Sequence, residues 1–163
     1  MAKNKEEKTN VMRVLEQKKI AYTAHTYPHE EGMAVDGVTV AKPMGFDPAI
    51  VFKTLVARGA SKQYYVFDVP VAENLDLKKA AKAVGEKSIE MIHQKELLPL
   101  TGYVHGGCSP VGMKKLFPTV FHSSAENLET MIVSAGKIGY QVELSPRDLA
   151  ALVRAKFADI IVE

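Results

Sequence analysis

Lys53 stands inside the run Val51-Phe52-Lys53-Thr54-Leu55-Val56, where an ammonium must reach solvent or meet an anion, because an unpaired buried charge gives up its proton. Strand alternation puts Lys53 and Leu55 on one face. If that face lines a cavity, the lysine can hold a carbonyl oxygen or a nucleotide phosphate; if it faces water, Lys53 is an ordinary surface lysine. A second segment, His105-Gly106-Gly107-Cys108-Ser109-Pro110-Val111-Gly112-Met113-Lys114, is too rich in glycine and proline to continue a helix or a regular strand. Its use is either to aim backbone amides at a ligand or to serve as a plain connector. Cys108 and His105 raise the chemistry of a thiolate and its base, but the two must meet in space, and a lone cysteine is most often a small buried hydrophobe.

The other candidates are quieter. Five histidines, His25, His29, His93, His105 and His122, show neither the His-Glu-x-x-His spacing nor a cysteine pairing that would hold a metal, so no metal and no cofactor are expected. His25 alternates with Tyr27, and both can look the same way. Val133-Ser134-Ala135-Gly136-Lys137-Ile138-Gly139-Tyr140 joins two apolar runs through small residues, which either line a pocket or bend a curved sheet. Lys78, Lys79 and Lys82 share a helix and Lys114 with Lys115 follow the glycine loop; each group either touches phosphate or forms a solvated face.

These residues need a scaffold of modest size. At 163 residues and 47% hydrophobic, the chain supports one core, read as a single domain over residues 1–163. One cysteine excludes an internal disulfide, and no apolar leader or spanning segment follows Met1, so a cytoplasmic protein without a membrane partner is expected. A net charge of +2 lacks the field of a dedicated nucleic-acid-coating protein, so any RNA contact is local and no DNA partner is expected.

Periodicity predicts a helix over 6–19 on Val11, Val14 and Leu15, a strand over 21–27, a short helix over 38–44, and strands over 51–57 and 63–69 joined by a glycine-bearing loop. Asp76 caps a helix with Leu77, Ala80, Ala81 and Val84 inward and Gly85 as its stop. A strand over 88–91 and a brief helix over 94–98 precede the glycine loop. Strands follow over 119–122, 130–134 and 138–144, and Ser145-Pro146-Arg147-Asp148 starts a helix reaching about Arg154. Elements mixed in this way predict an α+β domain whose mixed sheet is curved, partly barrel-like and open enough for a cavity.

In order along the chain, His25-Thr26-Tyr27-Pro28-His29, Phe52-Lys53-Thr54-Leu55-Val56, Leu75 to Lys82, Ile89-Glu90-Met91, the Gly-Gly loop, Val133 to Tyr140 and Phe157-Ala158-Asp159-Ile160 together cover most of the sequence. This order resembles the YbaK/EbsC family of free-standing aminoacyl-tRNA deacylases, relatives of the editing domain inserted in bacterial prolyl-tRNA synthetases. The resemblance implies trans-editing of mischarged tRNA, with cysteine on the proline tRNA as substrate and prolyl-tRNA synthetase as a docking partner. It implies that Lys53 is essential for deacylation, that Gly106, Gly107 and Pro110 meet the terminal adenosine, and that Tyr27, Ser134 and Gly136 line the substrate pocket. It also implies that the substrate's own thiol attacks the ester. Two departures bear on specificity: Gln141 stands where some members carry an aspartate, and Met33-Ala34-Val35-Asp36 replaces an aromatic followed by glycine. A deacylase for alanine or another small amino acid, and a non-catalytic nucleotide-binding or partner-binding module, are the alternatives.

Overall fold

The structure, a computed structural model, describes residues 8–26 and 47–163. Helix α1 (Asn10–Gln17) opens on Thr9, whose hydroxyl accepts the Met12 amide, and it buries Val11, Met12 and Leu15. Strand β1 (Tyr22–Thr26) follows. The predicted helix over 38–44 and the end of the first predicted strand lie outside the described residues.

Strands β2 (Phe52–Gly59) and β3 (Tyr64–Pro70) form the expected antiparallel hairpin, with Lys53 opposite Val69 and Thr54 opposite Asp68. Its glycine, however, is not the turn residue. Lys62 takes the left-handed conformation, at φ 76°, whereas a Cβ on Gly59 would lie 2.3 Å from the Glu86 carboxyl carbon. Gly59 thus makes room for a carboxylate that accepts the Ser61 amide at 3.1 Å and the Tyr65 hydroxyl at 2.6 Å.

Helix α2 (Leu77–Val84) is capped by Asp76, which accepts the amides of Lys78 and Lys79, and stops at Gly85 with φ 75°. Ala80 and Ala81 are buried as expected, but Leu77 is exposed. Lys79 is not directed at a ligand. Its ammonium meets Asp159 at 3.0 Å, the Ile161 carbonyl at 3.0 Å and Glu163 at 3.3 Å, fastening the C-terminal segment. After β4 (Ile89–Met91), helix α3 (Gln94–Thr101) runs a turn beyond expectation with Pro99 inside it. That turn is held by the Thr101 hydroxyl donating to the Leu97 carbonyl at 2.7 Å and by the Lys114 amide donating to the Thr101 carbonyl at 3.1 Å.

Strands β5 (Thr119–His122), β6 (Met131–Ser134) and β7 (Tyr140–Leu144) fall where alternation placed them, and Ser145 caps helix α4 (Pro146–Val153). Strand β8 (Lys156–Ala158) was not anticipated. It is too short for a periodic signal and is fixed by parallel pairing to β5. One sheet has the order β4-β2-β3-β5-β8 and the other β1-β7-β6, joined where Val51 bridges Ile132 in parallel.

The side chains sort cleanly between the two faces of this joined surface. Phe52, Phe121, Met131, Val133, Val142 and Leu144 point to the core that α1 and α4 complete with Val11, Leu15 and Leu149. On the other face, Phe67, Val69 and Val120 pack under Ala80 and Ala81 of α2. Among the described residues, the inner face is packed with hydrocarbon.

His122 is buried beneath β8, where its Nδ1 accepts the Ile160 amide at 3.3 Å. Burial is the main cause holding its pKa below the ordinary 6.5, against the attraction of Asp159. The unfolded chain thus takes the proton first, so this contribution to stability is complete above pH 6.5 and lost as pH falls below it. Urea midpoints of the wild type should drop more steeply between pH 7.5 and pH 5 than those of His122→Asn, whose amide oxygen keeps an acceptor in place; parallel curves would refute the assignment.

Candidate functional site

Lys53 lies on β2, half-buried, on the same face as Leu55 and Val69. The Val51–Ile132 bridge fixes its second neighbour. Val51 and Ile132 form an isolated bridge, and if that parallel register is carried one further pleat, Lys53 comes level with Ser134 on the same side. Ser134 is paired with Gln141, and Gln141 with His25. Directly opposed residues share a face, so His25, Gln141, Ser134 and Lys53 make a polar row across β1, β7, β6 and β2, turned away from the main core. Glu143 flanks the row, with Oε1 2.9 Å from His25 Nε2 and Oε2 accepting the Thr130 hydroxyl at 2.5 Å. The hydroxyl bond first, and then His25, hold the Glu143 carboxyl below its ordinary range.

Beside this row two loops interlock. The segment 102–113 is a stapled loop: the Gly107 amide donates to the Val104 carbonyl at 2.9 Å, the Val111 amide to Ser109 Oγ at 3.2 Å, and the Tyr103 hydroxyl to the Val111 carbonyl. Gly106 and Gly112 have φ of 89° and 78°, which side-chain-bearing residues rarely adopt. A Cβ on Gly107 would lie 3.1 Å from the Ile138 nitrogen, and one on Gly136 would lie 2.9 Å from the Tyr103 ring. Gly107 lets the loop touch the backbone of the β6–β7 turn, and Gly136 lets that turn close on the Tyr103 ring. Gly136 also donates its amide to Ser134 Oγ at 3.1 Å, tying the turn to the polar row. Among the described residues, the amides of Gly106, Cys108 and Ser109 have no hydrogen-bond acceptor.

The structure thus gathers Gly106, Gly107, Pro110, Ser134 and Gly136 into one loop cluster, with Pro110 buried, while Lys53 lies on the neighbouring strand β2. Tyr27 and His29 lie outside the described residues. Cys108 and His105 do not form a dyad, since His105 is exposed whereas Cys108 packs with Val56, Val66, Leu97 and Phe117. Burial pushes the Cys108 thiol up to about 12, and the nearby Asp68 adds to the shift, leaving no useful thiolate at neutral pH. Among the described residues no three His, Cys, Asp or Glu side chains gather as metal ligands.

Sequence reasoning missed Asp68. Fully buried on the inner face, it accepts the Thr54 hydroxyl at 2.5 Å through Oδ1, while Oδ2 has no partner among the described residues. Burial lifts its carboxyl from 3.8 to about 7, against the lowering effect of Thr54. Its signal was an acid in an otherwise apolar strand, Tyr65-Val66-Phe67-Asp68-Val69. A separate open hollow, lined by Glu126, Asn127, Leu128, Glu129, Ser145, Pro146 and Arg147, lacks any candidate residue and carries two glutamates.

A family model described as an aminoacyl-tRNA editing domain matches residues 29–152. The sequence is 44% identical, over 98% of each chain, to a protein of Enterococcus faecalis (strain ATCC 700802 / V583) provisionally named Cys-tRNA(Pro)/Cys-tRNA(Cys) deacylase EbsC. Two solved structures share the fold. One, provisionally titled a trans-editing enzyme for prolyl tRNA synthetase, is 24% identical with a TM-score of 0.78, covering 94% of this chain and 95% of its own. The other, the hypothetical protein APE2540, is 19% identical with a TM-score of 0.82, covering 93% and 99%.

Two stability measurements check this geometry. Gly107→Ala should cost about 1–3 kcal/mol in urea denaturation, since the added methyl meets backbone on the facing turn; a neutral result would mean that the loops are not in contact. For Asp68, the folded state holds the proton more tightly, so the wild type loses stability as pH rises from 3.8 to about 7. Asp68→Asn should therefore gain on the wild type across that interval, and a constant difference would show that the carboxyl titrates normally.

Proposed function

Because the chain belongs to the aminoacyl-tRNA editing domain family, we propose that it deacylates mischarged tRNA, with cysteine attached to the proline tRNA as its main substrate. The observation that carries this reading is the match to the editing-domain family over residues 29–152, supported by a stapled glycine loop whose exposed Gly106 has an amide without an acceptor among the described residues. An ammonium and fixed N–H groups suit the negative charge that develops on an ester carbonyl, and losing one such donor typically costs about 3 kcal/mol of barrier.

In this reading Gly106, Gly107 and Pro110 shape the loop against the terminal adenosine. Ser134 and Gly136 form the floor, Tyr27 contacts the substrate, and Lys53 holds the reacting end. The Cys108 thiol, buried and protonated, is not the nucleophile. Instead the substrate's thiol sulfur attacks its own ester carbonyl. A carbon–sulfur bond forms, the carbon–oxygen bond to the ribose breaks, the thiol proton passes to the ribose oxygen, and water later opens the thiolactone to free cysteine. Such an intramolecular attack can remove about 7–11 kcal/mol of barrier, so a protein nucleophile is unnecessary.

The need for such an enzyme is physical: a synthetase pocket sized for proline discriminates against a side chain of similar volume by only about 1–3 kcal/mol. A second reading, deacylation of alanine or another small amino acid, is favoured by one feature. His25 bonded to Glu143 in the polar row is the kind of pair that could activate water where the substrate lacks a thiol. The net charge of only +2 supports a further part of the proposal, that prolyl-tRNA synthetase presents the tRNA.

Lys53→Ala should lower release of labelled cysteine from Cys-tRNA(Pro) at least about 100-fold, in line with loss of a transition-state donor, and Cys108→Ala should leave it within a few-fold. The reverse pattern would overturn the assignment. In a panel of charged tRNAs, cysteine should be released fastest, whereas alanine ahead of cysteine would favour the second reading. Adding prolyl-tRNA synthetase at low enzyme concentration should raise the rate, and an unchanged rate would refute docking.

A further inference from the structure

The surface around the glycine loop carries a charge pattern that the deacylation chemistry does not use. No aspartate or glutamate occurs between Glu96 and Glu126, or between Glu129 and Glu143, and within these stretches lie Lys114, Lys115 and Lys137. All three are exposed. Lys137 borders the loop directly, since a Cβ on Gly107 would be 3.4 Å from its Cα, and its ammonium lies 5.3 Å from the centre of the Tyr140 ring. Lys114 lays its aliphatic chain beside Gly102 and donates to the Pro99 carbonyl at 3.4 Å. Lys115 sits 6.0 Å from the centre of the Phe117 ring.

Elsewhere on the molecule some cations meet carboxylates, Lys8 with Glu16, Arg58 with Glu90 and the half-buried Lys79 with Asp159, while other exposed lysines such as Lys62, Lys78 and Lys82 meet none among the described residues. Among the described residues, Lys114 and Lys115 lie within ion-pair distance of none. The acid of the neighbouring helix, Glu96, is turned to the His93 amide at the opposite end of α3. A rim of cations bordering a loop that would take a nucleotide, on a protein of nearly balanced charge, is complementary to a polyanion that continues past the loop.

We propose that Lys114, Lys115 and Lys137 form a contact surface for the phosphates of the RNA that leads away from the aminoacylated 3′ end. This rests on the deacylation reading for the identity of the loop's ligand. The lysines add affinity without reading bases, because phosphate contacts position a nucleic acid but carry no sequence information.

The test compares wild type with Lys114→Ala/Lys115→Ala, neither position belonging to the polar row or the loop cluster's floor. Binding of uncharged proline tRNA is measured across a salt series, and deacylation is measured on intact Cys-tRNA(Pro) and on a short RNA ending in CCA bearing cysteine. The slope of log affinity against log salt should fall by about 1 per lysine removed. Intact tRNA should become a poorer substrate while the short RNA is cleaved at the wild-type rate, which also confirms that the variant is folded. An unchanged salt slope overturns the proposal, as does equal loss on both substrates. Loss confined to stimulation by added synthetase would mean that the rim docks an acidic protein surface, and would also overturn it. If the wild type cleaves neither substrate, it is the deacylation reading that fails, and the salt slope of tRNA binding still decides the rim.

Discussion

The parallel bridge between Val51 and Ile132 fixes the geometry on which the site depends. A strand's side chains alternate with a period of two, so a single contact between β2 and β6 decides which residues of four strands look the same way. With that register, Phe52, Val133 and Val142 enter the core, and Lys53, Ser134, Gln141 and His25 fall together on the opposite face. A shift of one residue would exchange the two sets, placing a lysine in hydrocarbon and valines in the polar row. Burial of the inner set therefore also specifies the polar one.

Much of this was legible from the amino acids. Capping residues announced helices α2 and α4: Asp76 and Ser145 both accept amides of the first turn, and Gly85 adopts the left-handed conformation that ends α2. Alternation in 140–144 correctly separated Gln141 and Glu143 from Val142 and Leu144. What could not be read was pairing between distant strands. Nothing local to Lys53 says that β6 lies beside it. The last turn of α3 was not read because part of its support, the Lys114 amide on the Thr101 carbonyl, comes from a residue the local sequence does not place nearby.

The glycines illustrate the same limit. Gly106 and Gly112 are needed for backbone conformation, as a glycine-rich loop suggests. Gly107 and Gly59 serve a different purpose, each leaving space for a neighbour remote in sequence, Ile138 and Glu86, and Gly136 does both, with φ 93° and the Tyr103 ring against it. The loop is thereby preorganised against the β6–β7 turn before any ligand arrives. Fixed donors of this kind lower a barrier more effectively than flexible ones, because no reorganisation is paid during the reaction. Cys108 contributes as packing within that same loop, its thiol protonated at neutral pH.

The account's central claim is that one ligand-binding surface spans the polar row and the glycine loop. It is tested most directly by titrating the protein with a non-hydrolysable analogue, adenosine carrying cysteine through a 3′ amide, and following backbone amide chemical shifts. The account predicts the largest changes at Gly106, Cys108, Ser109, Ser134 and Gly136, with Lys53→Ala weakening the titration. Changes centred instead on Glu126 to Glu129 and Arg147, with the loop and row unmoved, would contradict it.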